Sequence, residues 1–204
     1  MTPLAIEPCR RTAPHNWPGW LSVLLVLALA LLCLAMSGAA VGQTAAPAMP
    51  NLERSVKAAY LFKFLGYVDF LAPREGAESG SPLTVGVLGA EDVAAELSRI
   101  TAGRTVNGRP IAVRSLREGE PVAGLQMLYA GTATDLPKVL RSAAQNGALG
   151  VADDENGLQH GAVINFRIVE DRVRFEVSLP AAERSNLKLS SRLLSVAWHV
   201  QKGN

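Results

Sequence analysis

Leu83-Thr84-Val85-Gly86-Val87-Leu88, followed by a helical pattern from Val93 to Thr101, is the stretch that decides the fold class. Its apolar residues run on without the polar alternation of a half-exposed strand, which is how a strand covered on both faces reads. A helix directly after such a strand is the opening of a βαβ unit, whose two strands lie parallel in one sheet. The same order recurs downstream. Leu125 to Ala130 reads as a buried strand, and Asp135 to Asn146 as a helix with Leu136, Val139, Leu140 and Ala143 on one face, closed by Gly147. Ala148 to Ala152 is a further short strand.

Between the first two units, Arg104-Thr105-Val106 and Pro110 to Leu116 flank Asn107-Gly108, a dipeptide suited to a two-residue hairpin turn, although Pro110 weakens the hairpin reading. Beyond Ala152, Ala162 to Val169 and Val173 to Leu179 surround Glu170-Asp171-Arg172 and read as an antiparallel hairpin. Ser190 to Gln201 has the spacing of a closing helix. The expected architecture is an α/β three-layer sandwich. Its sheet is mixed and mostly parallel, with an antiparallel hairpin at one edge and helices on both faces.

Upstream, a helix is expected from Leu52 to about Leu71, stopping before Pro73. Val56, Ala59, Tyr60, Phe64, Tyr67, Val68 and Leu71 form one apolar stripe, while Ala58, Leu61, Phe62, Leu65 and Phe70 fill much of the rest. Lys57, Lys63 and Asp69 are nearly all that is polar. A helix apolar almost all round must be covered on more than one side. Either the sheet and the closing helix cover it, or part of it is an interface for self-association or a partner, with Tyr60, Phe64 and Tyr67 as aromatic anchors.

Further out still, Leu21 to Met36 is an uncharged, largely apolar run preceded by Arg10-Arg11 and followed by small residues near Ala40-Val41-Gly42. That order matches a secretory signal peptide over residues 1–42. Retention as a membrane anchor is the alternative, since a spanning helix needs about 20 apolar residues. Residues 43–51 read as a flexible leader, and residues 52–204 as a single domain. Cleavage would remove Cys9 and Cys33, leaving a cysteine-free protein in an oxidising compartment. With Arg10, Arg11 and Glu7 gone, 18 Lys+Arg stand against 17 Asp+Glu with the signs interspersed, which gives nucleic acid no foothold.

Catalytic chemistry has little to work with. The exported part has no Cys, no Ser in a G-x-S-x-G setting and two histidines, His160 and His199, with no acidic residue at an orienting spacing. Asp153-Asp154-Glu155-Asn156-Gly157 is the densest acidic cluster, but Ile164 stands where a calcium loop needs its distant Glu, so a solvated turn is expected and no metal. Gly86-Val87-Leu88-Gly89 lacks the third glycine of a dinucleotide loop, and Glu91 and Asp92 at the next helix start would repel phosphate, so no cofactor is expected. Arg104, Arg109, Arg114 and Arg117 could pair with an anion or simply line a solvated edge. Arg109, Arg114 and Arg192 are the candidate anchors if a small ligand binds at the carboxyl ends of the strands.

Taken in series, several segments resemble the YfiR-like periplasmic proteins. They are Val56-Lys57-Ala58-Ala59-Tyr60-Leu61-Phe62-Lys63-Phe64 with Tyr67-Val68-Asp69-Phe70, then Leu83 to Gly89, and Gly103 to Arg114. Gly161 to Phe166 with Arg174 to Val177, and Leu187 to Leu194, complete the series. The resemblance implies a non-enzymatic regulator in the periplasm, commonly a dimer. Such a protein binds and inhibits the periplasmic sensory part of an inner-membrane diguanylate cyclase, lowering cyclic di-GMP signalling and biofilm formation. The chain departs from the family in having Phe70-Leu71-Ala72-Pro73 where Trp-Pro is frequent and Ser178 where an Asn is common. It also lacks the cysteines that support redox sensing in some members. A periplasmic sensor of a small ligand, with a different partner, is the alternative.

Overall fold

The structure is a computed structural model and describes residues 49–71 and 80–203. The signal peptide and most of the leader lie outside the described residues. The elements, in chain order, are α1 (Met49–Tyr67), β1 (Val68–Phe70), β2 (Leu83–Leu88), α2 (Glu91–Thr101), β3 (Thr105–Val106), β4 (Arg109–Leu116), β5 (Met127–Ala130), α3 (Leu136–Gln145) and β6 (Leu149–Ala152). They continue with β7 (Ile164–Val169), β8 (Arg172–Ser178), α4 (Leu179–Arg184), β9 (Leu187–Leu189), α5 (Ser191–Val196) and β10 (His199–Gln201).

Eight strands form the main sheet in the order β10-β8-β7-β6-β5-β2-β4-β3, and β1 pairs with β9 in a separate two-stranded ribbon. From β4 to β7 every pairing is parallel, with β2 at the turning point of a doubly wound order. Turn chemistry makes both hairpins. Asn107 and Gly108 take φ of 51° and 76° between β3 and β4, and Glu170 and Asp171 take 51° and 56° between β7 and β8. Pro110 is accommodated because its imide nitrogen, in a strand starting one residue after a two-residue loop, faces away from β3.

The expected mixed, mostly parallel sheet with helices on both faces is present. On one face, Val85, Val87, Met127, Tyr129, Leu149, Val151, Phe166 and Phe175 pack under α1 and α2. On the other, Leu88, Leu128, Ala130 and Ala152 pack with Leu136, Leu140 and Ala143 of α3. Gly86 belongs to this second face, where Leu116 and Leu125 approach so closely that an added Cβ would lie 2.6 Å from each. Each large apolar side chain buried in these layers contributes about 1.5–3 kcal/mol, so α1 is held chiefly by Leu61, Phe64 and Leu65.

Several boundaries differ from the sequence reading, and α4 and β9 are absent from it. The first helix begins at Met49 and stops at Tyr67, where Val68–Phe70 becomes a strand against Leu187–Leu189. The closing helix is only Ser191–Val196. At Ala197 the backbone turns extended, the Trp198 amide donates to Phe175 O at 2.8 Å, and His199–Gln201 pairs with β8. The β7–β8 hairpin is therefore flanked by one more short strand and does not itself form the sheet edge.

Candidate functional site

The most concentrated chemistry lies where α1 crosses β5, β6, β7 and β8. At helical spacing, Lys57, Leu61, Phe64 and Val68 form the stripe turned into the core, and a lysine heads it. Lys57 is only 6% exposed, and its ammonium donates to the carboxylates of Glu53, one turn earlier, and Asp153, just past the end of β6. Burial opposes its charge, but the hydrogen bonds to Asp153 and Glu53 outweigh burial and hold its pKa above the usual lysine value. Tyr129 donates its phenol to Asp153 Oδ2 at 3.1 Å. Burial first, and then the Asp153 charge, push that phenol above its ordinary range. The four groups tie the first helix to the carboxyl ends of two central strands.

From Tyr129 a chain of rings leads outward. Its ring meets Phe166 at 6.0 Å; Phe166 meets Phe64 at 6.0 Å; Phe64 and Phe175 cross edge-on at 5.1 Å; and Tyr60 packs against Phe175 at 5.4 Å. Such pairs add about 0.5–1.5 kcal/mol each beyond their buried area. The chain ends at a surface cavity of about 410 Å³ lined by Tyr60, Lys63, Phe64, Tyr67, Phe175, Arg192, Leu193, Ser195 and Val196. Its lining holds two cations and no carboxylate. Beside it the surface is apolar: Tyr67, Val196 and Trp198 are 37%, 64% and 55% exposed.

The three expected aromatic anchors are thus brought to one place but play different parts. Phe64 is 1% exposed and belongs to the monomer core, Tyr60 is half-buried at its rim, and Tyr67 is open to solvent. Trp198, hidden from the sequence reading inside an expected helix, is exposed because the chain leaves the helix before it, and its amide donates to the carbonyl of Phe175, a cavity-lining residue.

The three arginines do not converge. Arg192 lines the cavity beside α1. Arg109 sits at the far end of the sheet on β4, donating to Ser81 O at 2.7 Å, and Arg114 is exposed on the same strand. At the turning point of the sheet the loops after β2 and β5 lie close together. Gly131 N donates to Leu88 O at 3.0 Å, and Gly89, at φ +65°, lies so near Thr132 that an added Cβ would be 1.9 Å from its carbonyl oxygen. His199 is exposed on β10 with its ring 6.5 Å from Trp198, and His160 Nδ1 is 3.4 Å from Asp154. His199 opens the edge strand β10, and His160 lies in the loop between β6 and β7.

The acidic run proves to be divided labour. Asp153 joins the Lys57 network, while Asp154 accepts from Asn156 N and its backbone is bracketed by the fully buried Asn165 side chain. Among the described residues no group of three or more His, Cys, Asp or Glu side chains is placed to hold a metal, and no helix is long and apolar enough to cross a membrane.

No curated protein matches the chain. Among solved structures, a conserved domain protein from Vibrio cholerae O1 biovar El Tor superposes with a TM-score of 0.52 at 10% identity, over 72% of this chain and 60% of its own. The chain therefore spans about three-fifths of that structure's length, and the likeness is one of fold. The ABC domain in complex with L-Trp from Streptococcus pneumonia reaches a TM-score of only 0.41 at 10% identity, over 57% of this chain and 54% of its own. The family described as YfiR/HmsC-like matches residues 54–198, from the first helix through Trp198, and the chain belongs to that family.

Proposed function

We propose that the chain is a non-enzymatic regulator, exported to the periplasm, that binds the periplasmic sensory part of an inner-membrane diguanylate cyclase and holds it inactive. Cyclic di-GMP signalling and biofilm formation fall as a result. The observation that carries the reading is the YfiR/HmsC-like match across residues 54–198. The surface around Tyr60, Tyr67, Val196 and Trp198 supports it, because exposed aromatics beside a cavity are the usual anchors of protein recognition. Repression is a population shift: driving a mostly active partner to about 1% activity needs about 5.5 kcal/mol of preference for its inactive state. Three aromatic anchors at about 2 kcal/mol each, engaged only in the inactive state, suffice. The same surface is where we place self-association into a dimer.

Co-purification from membranes tests this. Wild-type protein should recover a cyclase, and deletion of the gene should raise cyclic di-GMP. Tyr67→Glu and Trp198→Glu should abolish capture while leaving the melting temperature nearly unchanged, whereas Phe64→Asp should unfold the domain. Capture of no cyclase or related sensor, together with unchanged cyclic di-GMP on deletion, refutes the proposal. A second reading draws on the cavity itself: Lys63, Arg192 and the two tyrosines suit a small anionic amphipathic ligand that modulates the partner. A thermal-shift screen of anionic metabolites, repeated on Arg192→Ala, tests it.

A further inference from the structure

Independently of the cyclase reading, the far end of the sheet carries a strand with one edge largely open among the described residues. β4 runs from Arg109 to Leu116, but β3 covers only Arg109 and Pro110, leaving Ile111 to Leu116 paired on the β2 side alone among the described residues. The pairing geometry tells which groups are left open. Across the two-residue loop Asn107-Gly108, Val106 and Arg109 form the hydrogen-bonded pair, so Arg109 turns its N–H and C=O outward, and alternation does the same for Ile111, Val113 and Ser115. The other side agrees. Thr84 O and Leu88 O accept from Gln126 N and Gly131 N, so Val85 and Val87 face β4 and bond the residues flanking Val113 and Ser115.

Long open edges are normally blunted by inward charges, bulges or a covering element. Here Ile111 and Val113 are half-buried, Ser115 is exposed, and a cavity of about 270 Å³ lined in part by Ser98, Thr101, Ile111 and Val113 lies alongside, between α2 and β4. The strand and its start are basic, with Glu118 and Glu120 following only after its end. Residues 104–117 contain Arg104, Arg109, Arg114 and Arg117 and no acidic residue. Arg104 stacks over Phe62 at 5.5 Å, Arg109 holds Ser81 O, Arg114 is exposed, and none of the four forms an ion pair among the described residues.

We infer that the outer edge of β4 binds an extended, acidic segment of another protein by strand addition. Main-chain bonds to Ile111, Val113 and Ser115 supply affinity, and Arg114 and its neighbours select negative side chains. A second copy of this chain is the poorer occupant, because two β4 strands paired about a two-fold axis would bring their Arg114 side chains together.

The test uses the purified protein and a labelled peptide of alternating Val and Glu, with the same peptide carrying Lys for Glu as its counterpart. The Glu peptide should slow hydrogen exchange at the Ile111, Val113 and Ser115 amides and bind at least about ten-fold tighter than the Lys peptide, as one additional charge-assisted contact would give. Ser115→Pro removes an outward N–H and should weaken binding about five- to ten-fold. Arg114→Glu, which leaves the backbone intact, should erase or reverse the charge preference, and it keeps the test decisive if the proline variant fails to fold. Equal binding of the two peptides, amides already protected in the free protein, or protection that grows with protein concentration through self-association would each overturn the inference.

Discussion

Replacing Lys57 by Met keeps the bulk of the side chain in the core and removes its charge. Breaking a buried ion pair from one side costs about 3–5 kcal/mol, because the abandoned carboxylate has lost its counter-charge. Here water recovers part of that loss, since the Asp153 and Glu53 side chains are 27% and 40% exposed while that of Lys57 is only 8% exposed. The expected cost of Lys57→Met at neutral pH is therefore about 2–3 kcal/mol, a fall of roughly 5–10 °C in melting temperature for a domain of this size. Urea titration with linear extrapolation measures it. Adding Asp153→Asn to Lys57→Met should restore about 1–2 kcal/mol, because a neutral pair leaves no stranded charge. The pH dependence has a definite sign. The folded pKa of Lys57 lies above its unfolded value of 10.5, so the stabilisation is whole below that pH and is lost as pH rises through the folded value. Wild-type protein should lose stability along that alkaline limb more steeply than Lys57→Met. A Lys57→Met variant within about 0.5 kcal/mol of wild type, or a double-mutant coupling near zero, would refute the assignment of this network as the tie between α1 and the sheet.

On the acid side, hydrogen bonding to Arg99 lowers the Glu96 pKa to about 2 from the usual 4.5, so its contribution is present above pH 4.5 and is lost as pH falls towards 2; Glu96→Gln should flatten that part of an acid titration. Asn165→Ala should cost about 2–4 kcal/mol, because the buried amide bonds both the N–H and the carbonyl of Asp154, and hydrogen exchange should quicken first in the loop after β6. Gly89→Ala should cost more than about 2 kcal/mol by chemical denaturation, since it adds a Cβ at φ +65° within 1.9 Å of Thr132 O.

The parts of the fold that could be read from the chain were those set by neighbours in sequence. The buried run Leu83 to Leu88, the Asn107-Gly108 turn and the Asp135 and Gly147 ends of α3 carry their own local signals, and the structure has them all. Where reading failed, a distant partner had decided. Val68–Phe70 continues the helical spacing of α1 but pairs with Leu187–Leu189, far along the chain. Val196 to Gln201 satisfies both a helical spacing and a two-residue alternation, and the exposed edge of β8 selects the second. Ridding that edge of unpaired groups outweighs the weak helical preference of a Val-Ala-Trp-His-Val run.

The site was half legible for the same reason. Tyr60, Phe64 and Tyr67 announced an aromatic surface, yet which ring faces the core depends on Phe166 and Phe175, which the sheet brings beneath α1. The missed signal was Lys57. A lysine in line with Leu61, Phe64 and Val68 occupies a position that burial should forbid, and an obligate partner is the physical remedy. Asp153, at the head of an acidic run that read as solvated, is that partner. The consequence reaches function. The rings that line the exposed cavity are continuous with Tyr129, whose hydroxyl shares Asp153 with Lys57, the contact that seats the first helix. A partner held by the surface of α1 would therefore be released by whatever unseats that helix. Lys57→Met should accordingly weaken capture of the partner as well as stability, and Tyr67→Glu should weaken capture alone.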